Sequence, residues 1–190
     1  YNTASTAACQ FMLSNSELSG LTLTPGVYCS TSGLFTIAKL AYVTLDAQNG
    51  INAVWVFQTT TTLTTGDFSS IIFINGALST NVYWVVGSSA SFGYAAFFAG
   101  NLMAQSTIKY SAYSILDGRA LSFADVSFTG YSSAALPNGP SVVIYPRVQI
   151  YLGGCIPFAV MAGSTAGFNL ALTVIHSGSI GNSPGIKRFF

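Results

Sequence analysis

The sequence predicts an all-β fold, an irregular β-helix (β-solenoid) with at most one short α-helix, and three observations carry that prediction. First, residues 96–110, AFFAGNLMAQSTIKY, lie without a gap on residues 114–128, SILDGRALSFADVSF, 18 positions later. Phe98 meets Leu116, Gly100 meets Gly118, Met103 meets Leu121, Ile108 meets Val126 and Tyr110 meets Phe128. Second, an apolar-hydroxyl-apolar alternation keeps returning: Leu21-Thr22-Leu23-Thr24, Val43-Thr44-Leu45-Asp46, Thr61-Thr62-Leu63-Thr64, Ala90-Ser91-Phe92-Gly93, Ile108-Lys109-Tyr110-Ser111 and Val126-Ser127-Phe128-Thr129. Period-two alternation is a strand with one face buried. Third, helical periodicity is nearly absent. One strand cannot bury its apolar face alone, but a chain that winds round and returns above itself stacks equivalent strands over a shared core.

Taken in order, residues 1–20 contribute one short helical segment at 2–14, where small residues have apolar spacing and Asn15-Ser16 ends it. The coils occupy 21–131. Val54–Gln58 and Val82–Val86 correspond at an offset of 28. Trp55 and Trp84 are read as holding equivalent places in successive coils, packed on one another in the core. Ile71–Ile74 and Phe97–Ala99 form another wall. Gly87, Gly93, Gly100, Gly118 and Gly130 read as coil corners, where the backbone turns sharply. Residues 132–149 hold three of the six prolines and form an extended connection. Strands near 148–152, 156–162 and 170–175 then rejoin the solenoid, so that residues 1–190 make a single domain.

Composition excludes several functions. Six Lys/Arg, five Asp/Glu and one His leave only 6% charged residues, with no basic patch for nucleic acid. Half the residues are apolar, yet no run reaches the roughly 18 residues of a transmembrane segment. Polarity comes instead from 18 Thr and 24 Ser, a surface that is polar but nearly neutral. Cys9, Cys29 and Cys155 form no C-x-x-C and have no His cluster, so zinc is not expected. They admit one disulfide plus a buried thiol, or three buried thiols. The low charge and hydroxyl-rich surface predict a secreted, extracellular setting, with any leader removed before Tyr1.

Catalysis has little to work with. His176 stands alone beside an apolar run, with no nucleophile motif next to it. Glu17, Asp46, Asp67, Asp117 and Asp125 are too scattered for a Ca²⁺ loop. Asp46 and Asp117 read as turn caps, and Arg119 as a donor to turn carbonyls. We therefore expect no enzyme, no metal and no cofactor.

Several stretches, in order, resemble the motifs of microbial ice-binding proteins: LTLTPGVY (21–28), VTLDAQ (43–48), NAVWVFQ (52–58), INGA (74–77), NVYWVVGSSASFG (81–93) and DGRALSFADVSF (117–128). The resemblance implies a discontinuous right-handed β-solenoid and adsorption to an ice crystal surface. Residues 150–185 resemble the segment that opens that family, which makes the chain similar to a circular permutant joined through Pro137–Pro146. The family's long helix is represented only by its tail, YNTASTAACQ, leaving one solenoid face bare or covered by another copy.

Ice binding needs a rigid grid of hydroxyls and methyls, and parallel strands about 4.8 Å apart supply one. The family's T-G/A-x-T-like corners correspond to GYAA (93–96), SAYS (111–114) and TGYS (129–132), with TTGDF (64–68) as an earlier version. The expected ice face is therefore Thr64, Thr65, Gly93, Ala96, Ser111, Ser114, Thr129 and Ser132. A secondary column is Thr44, Thr62, Ser91 and Ser127, interrupted by Lys109. Tyr94, Tyr113 and Tyr131 stand where the family has small residues, as a flat semi-apolar surface or a subunit contact. The rival reading is a self-assembling extracellular filament, sheath or adhesin subunit, since solenoid ends expose strand edges.

Overall fold

Each turn of the chain lays short strands on three walls, and every strand pairs in parallel with the equivalent strand of the next coil. The computed structural model describes Ala4, residues 6–135 and, beyond these, the backbone of residues 158–162, 166–169, 174–175 and 179–182. The first wall holds β2 (Thr22–Leu23), β5 (Tyr42–Asp46), β8 (Ser70–Ile74), the leading halves of β11 (Phe97–Ala104) and β13 (Ile115–Ser122), β15 (Ser133–Ala135) and β18 (Val174–Ile175). The second holds β1 (Phe11–Leu13), β3 (Gly26–Ser30), β6 (Trp55–Thr59), β9 (Val82–Val86), the trailing halves of β11 and β13, β16 (Phe158–Ala162) and β19 (Ser179–Asn182). The third is a separate six-stranded sheet: β4 (Phe35–Ile37), β7 (Leu63–Thr65), β10 (Ala90–Phe92), β12 (Ile108–Tyr110), β14 (Val126–Thr129) and β17 (Ala166–Asn169).

The 18-residue repeat is the true register of the central coils, with Phe98 opposite Leu116, Gly100 opposite Gly118 and Tyr110 opposite Phe128. There β11 and β13 pass from first wall to second without a break. Gly100 makes that corner at φ 114°, and a Cβ on Gly118 would strike the Gly100 carbonyl oxygen, so both positions require glycine. Earlier coils are longer because residues 47–54 and a 3-10 turn at Ser79–Asn81 are inserted at the same corner. Of the six alternating stretches, the first two lie on the first wall and the last four on the third.

The core is an unbroken chain of rings. Centroid separations run Phe11–Tyr28 4.9 Å, Tyr28–Phe57 5.4 Å, Phe57–Trp84 4.0 Å, Trp84–Phe98 5.1 Å, Phe98–Phe92 4.3 Å, Phe92–Tyr110 4.4 Å and Tyr110–Phe128 4.5 Å. Each buried ring contributes about 1.5–3 kcal/mol through removal from water. The expected Trp55–Trp84 pairing is corrected here. The register sets Trp55 against Val82 and Phe57 against Trp84, an offset of 27 rather than 28. Trp55 and Trp84 are 29 residues apart, two out of that register, so both point inward but Trp84 stacks on Phe57. The indoles instead donate to backbone carbonyls, Trp55 to Leu23 and Trp84 to Ala99, each at 3.0 Å.

The expected helix does not extend through 14: Phe11–Leu13 is strand β1, paired with β3 and held beside it by a Cys9–Cys29 disulfide. Residues 1–3 and 5 lie outside the described residues, as do Cys155, His176 and residues 136–149 of the expected connection; Ser133–Ala135 is still strand. The outward face of the second wall is not bare. Val27, Val56, Tyr83, Val85 and Met103 form a second buried cluster with Ala4, and Gln58 Nε2 donates to the Ala4 and Ala7 carbonyls at 2.6 and 3.0 Å. Arg119 Nη1 donates to Asn101 Oδ1 at 2.8 Å, and Asn101 Nδ2 donates in turn to the Thr80 and Val82 carbonyls. Asp46 does cap its turn, accepting from Gln48 N at 2.8 Å and from Asn75 Nδ2 at 2.7 Å.

Tyr110 is fully buried, its hydroxyl has no hydrogen-bond partner among the described residues, and burial pushes its pKa well above the ordinary phenol value. An unsatisfied buried hydroxyl costs about 1–3 kcal/mol, whereas the ring carries the packing. Tyr110→Phe is therefore expected to raise the urea midpoint, and Tyr110→Leu, which opens the stack, to lower it. A destabilised Tyr110→Phe protein would show that the hydroxyl is satisfied after all.

Candidate functional site

The third wall is the one sheet whose register runs through every described coil from β4 to β17 without a shift. By comparison, β8 meets β11 through a single residue pair, and the β16–β19 ladder carries an irregularity. On three-residue strands alternation leaves one side chain outward. Phe35, Leu63, Ala90, Ile108 and Val126 point in, as do Ile37, Thr65, Phe92, Tyr110 and Phe128. Between them runs the outward column Thr36, Thr64, Ser91, Lys109, Ser127, which β17 continues with Gly167.

Flanking residues widen the face. Gly66, Gly93, Ser111 and Thr129 follow β7, β10, β12 and β14 or end them, and a Cβ on Gly93 would collide with the Gly66 carbonyl carbon. Thr62, Ser89 and Thr107 precede the same strands, with Thr107 Oγ1 donating to Ser89 Oγ at 3.2 Å. In the central column Ser91 Oγ donates to Thr64 Oγ1 at 3.4 Å. Hydroxyls one strand apart thus orient each other along the ladder while Thr64, Ser91, Ser111 and Thr129 remain exposed.

The corner after each third-wall strand decides which expected residues reach this face. The amides of Ala41, Ser69, Ala96 and Ser114 donate to the carbonyls of Ala38, Gly66, Gly93 and Ser111, closing four stacked turns. The third residue of each turn is left-handed: Leu40 φ 60°, Phe68 φ 57°, Ala95 φ 52° and Tyr113 φ 62°, with Tyr131 at 61° in the next coil. Non-glycine residues rarely hold this conformation. It persists here because each of the first four amides donates onward to the neighbouring coil, to the carbonyls of Asp67, Tyr94, Ala112 and Gly130.

Having turned, the chain puts the fourth residue inside. Ala96, Ser114 and Ser132 are at most 1% exposed, which corrects their expected place on the surface. Ser132 Oγ donates to the Ser111 carbonyl at 3.1 Å and to that of Thr129, serving the turn. Thr65 is corrected likewise, being the inward member of β7. Of the secondary column, Ser91 and Ser127 lie in the central column. Thr44, however, is buried on the first wall opposite Thr22 and Ile72, and Thr62 lies one column aside. Thr36 was missed, although Phe35-Thr36-Ile37 carries the same apolar-hydroxyl-apolar signal as the strands stacked on it.

Lys109 is the charge in the central column. Lys39 and Asp67 pair at 3.4 Å beyond it, both well exposed. At the lower edge Glu17 bridges to Thr36 and accepts from Thr36 Oγ1 at 2.9 Å, Ser19 N at 3.0 Å, Ala38 N at 3.1 Å and Ser19 Oγ. Partial burial pushes the Glu17 carboxyl up, but these hydrogen bonds together outweigh it and hold the pKa below the ordinary carboxylate value. Because the folded pKa is depressed, Glu17 stabilises the fold above the unfolded pKa and loses that contribution as pH falls through the folded one. We expect the wild-type thermal midpoint to fall more steeply than that of Glu17→Gln below about pH 4. Parallel midpoint-against-pH curves would show that Glu17 is not held this way.

Among the described residues no group of three or more His, Cys, Asp or Glu could hold a metal, and no helix is long and apolar enough to cross a membrane. The geometry defines a class: a parallel β-solenoid with one flat face of small and hydroxyl-bearing residues. Residues 1–132 match the ice-binding-like family, and the chain belongs to it. It is 43% identical over 111 residues to an ice-binding protein of Nostoc sp. (strain HG1), covering 57% of this chain and 39% of that protein. It is 35% identical over 133 residues to an ice-binding protein of Leucosporidium sp. (strain AY30), covering 70% of this chain and 48% of the relative. The chain thus spans less than half the length of these two relatives. The solved structure of an ice-binding protein from an Antarctic biological consortium superposes with a TM-score of 0.68 at 36% identity, over 73% of this chain and 62% of that one. An ice-binding protein from an Antarctic Flavobacteriaceae bacterium gives the same TM-score over 97% of this chain and 48% of its own, at 23% identity, a likeness of fold alone.

Proposed function

We propose that the protein adsorbs to ice through the outward face of the third wall and so restrains crystal growth and recrystallisation. The observation that carries this reading is the unshifted ladder from β4 to β14, which holds Thr36, Thr64, Ser91 and Ser127 in one column. Strands spaced about 4.8 Å apart repeat those side chains as a lattice does. Short β-branched or hydroxymethyl side chains lose little entropy when held against a solid, whereas a lysine loses about 1.5–2 kcal/mol. Lys109 is therefore the weakest point of the face. The names of the relatives, all ice-binding proteins, point the same way.

The same reading makes the protein extracellular, which the Cys9–Cys29 disulfide supports, since such bonds persist in oxidising compartments. It also takes the C-terminal strands as the family's opening segment carried at the end of the chain. Their support is pairing: β16 adds to β13, β17 to β14 and β18 to β15, continuing all three walls past the last central coil.

Ice affinity partition with observation of crystal shape tests the face. Thr64→Tyr combined with Ser91→Tyr should keep the thermal midpoint yet leave the protein in the liquid, and Lys109→Thr should increase the fraction taken into ice. Unchanged partition of the double variant would move the ice contact off this wall.

A further inference from the structure

The corner beside the third wall carries a run of exposed aromatic rings that the ice reading does not use. Phe68 contacts Tyr94 with centroids 5.5 Å apart, Tyr94 contacts Tyr113 at 5.2 Å, and Tyr113 contacts Tyr131 at 4.9 Å. The planes of Phe68 and Tyr94 lie at 65° and those of Tyr94 and Tyr113 at 55°, but Tyr113 and Tyr131 are stacked at 7°. Stacking turns one face of each ring toward the other and brings the two phenols into contact. Both rings are about half exposed, at 46% and 51%.

We propose that Tyr113 and Tyr131 form an oxidative modification site, in which a one-electron oxidant of the peroxidase class couples them into an intramolecular dityrosine. Each phenol gives up one electron and one proton to become a tyrosyl radical. The two radicals join through their ortho carbons, forming one C–C bond, and the two ortho hydrogens return to the oxygens as the rings rearomatise. The protein loses two electrons and two protons in all. Hydrogen peroxide, acting through the peroxidase, accepts them and leaves as two waters.

Three features of the molecule select this pair. Tyr113 projects from a turn whose backbone is fixed from two sides, since its amide donates to Gly130 at 3.2 Å while Ser114 closes the turn on Ser111, and Tyr131 precedes Ser132, whose Oγ donates to the Ser111 and Thr129 carbonyls. Exposed rings reorient about their side-chain bonds within nanoseconds, so contact between ortho carbons is frequent and no backbone motion is needed. Among the described residues, Trp55, Trp84, Tyr28, Tyr83 and Tyr110 are buried and so shielded as competing donors, and Cys9 and Cys29 are already joined. Tyr42, the remaining exposed tyrosine among the described residues, lies on the first wall and has no stacked tyrosine partner. Tyr94 touches Tyr113, but the tilt sets an edge against a face. The bond would link successive coils directly beside Ser111 and Thr129, fixing their spacing and removing freedom from the unfolded chain between them.

The test treats the full chain with a haem peroxidase and hydrogen peroxide over a dilution series, followed by peptide mapping and dityrosine fluorescence. The expected product is a monomer lighter by two hydrogens, with Tyr113 joined to Tyr131, a yield independent of protein concentration and a raised thermal midpoint. Tyr113→Phe and Tyr131→Phe should each abolish it, while Tyr42→Phe should not. Both corner variants are expected to fold, because Phe68 holds the same left-handed corner position in an earlier coil; circular dichroism and thermal midpoints check this. Absence of a linked monomer, linkage to Tyr94 or Tyr42, or product found only as dimers whose yield rises with concentration would overturn the proposal. None of these outcomes depends on ice.

Discussion

The flat face of this protein depends on what lies behind it. Phe92, Tyr110 and Phe128 stack with interplanar angles of 12° and 2° at 4.4–4.5 Å, close to the distance at which parallel backbones pair. Side-chain stacking and backbone hydrogen bonding therefore ask for the same strand separation. A coil cannot drift or splay without opening both. On the other side of that sheet, the outward hydroxyls inherit this spacing and add the Ser91–Thr64 and Thr107–Ser89 hydrogen bonds to it. The order of the surface is a property of the core.

The corner that follows each third-wall strand has a second role. By taking a left-handed residue at its third position, it turns the chain inward in a single step, so that a hydroxyl at the strand end stays outside and one three residues later goes in. Ser111 and Ser114 look alike in the sequence, yet one is exposed and the other has no exposed surface. The turn also pushes the left-handed side chain outward, which is why bulky Leu40, Phe68, Tyr113 and Tyr131 line the rim of a face otherwise made of small groups. Conformation, more than residue type, sorts the surface here.

Charge is used sparingly and at edges. Glu17 sits at the open end of the third wall, where its carboxylate accepts donors that an unpaired edge would otherwise leave exposed, a device that also discourages edge-to-edge pairing. Lys39 and Asp67 neutralise one another beside the corner. Lys109 alone stands in the central column. A surface adsorbing to a solid made of water gains from holding little water tightly, and a nearly neutral grid of short hydroxyls and methyls meets that condition better than charge does.

The solenoid was legible in the sequence because its cause is periodic: an apolar side chain every second residue and an equivalent strand every 18. Strand positions and the glycine pair at the first-to-second-wall corner follow from patterns along the chain. The longer coils were harder. Coils of unequal length carry no fixed period to set the register, so Trp55 and Trp84, two residues out of register on the same inward face, could be aligned plausibly and wrongly. The column through Thr36, Thr64, Ser91 and Ser127 was only half visible for the same reason. The sequence by itself determined that this chain winds, stacks and hides its rings. Only the tertiary structure decided which hydroxyls face outward, because that choice is made at left-handed corners held open by hydrogen bonds from the next coil, a contact no single stretch of sequence contains.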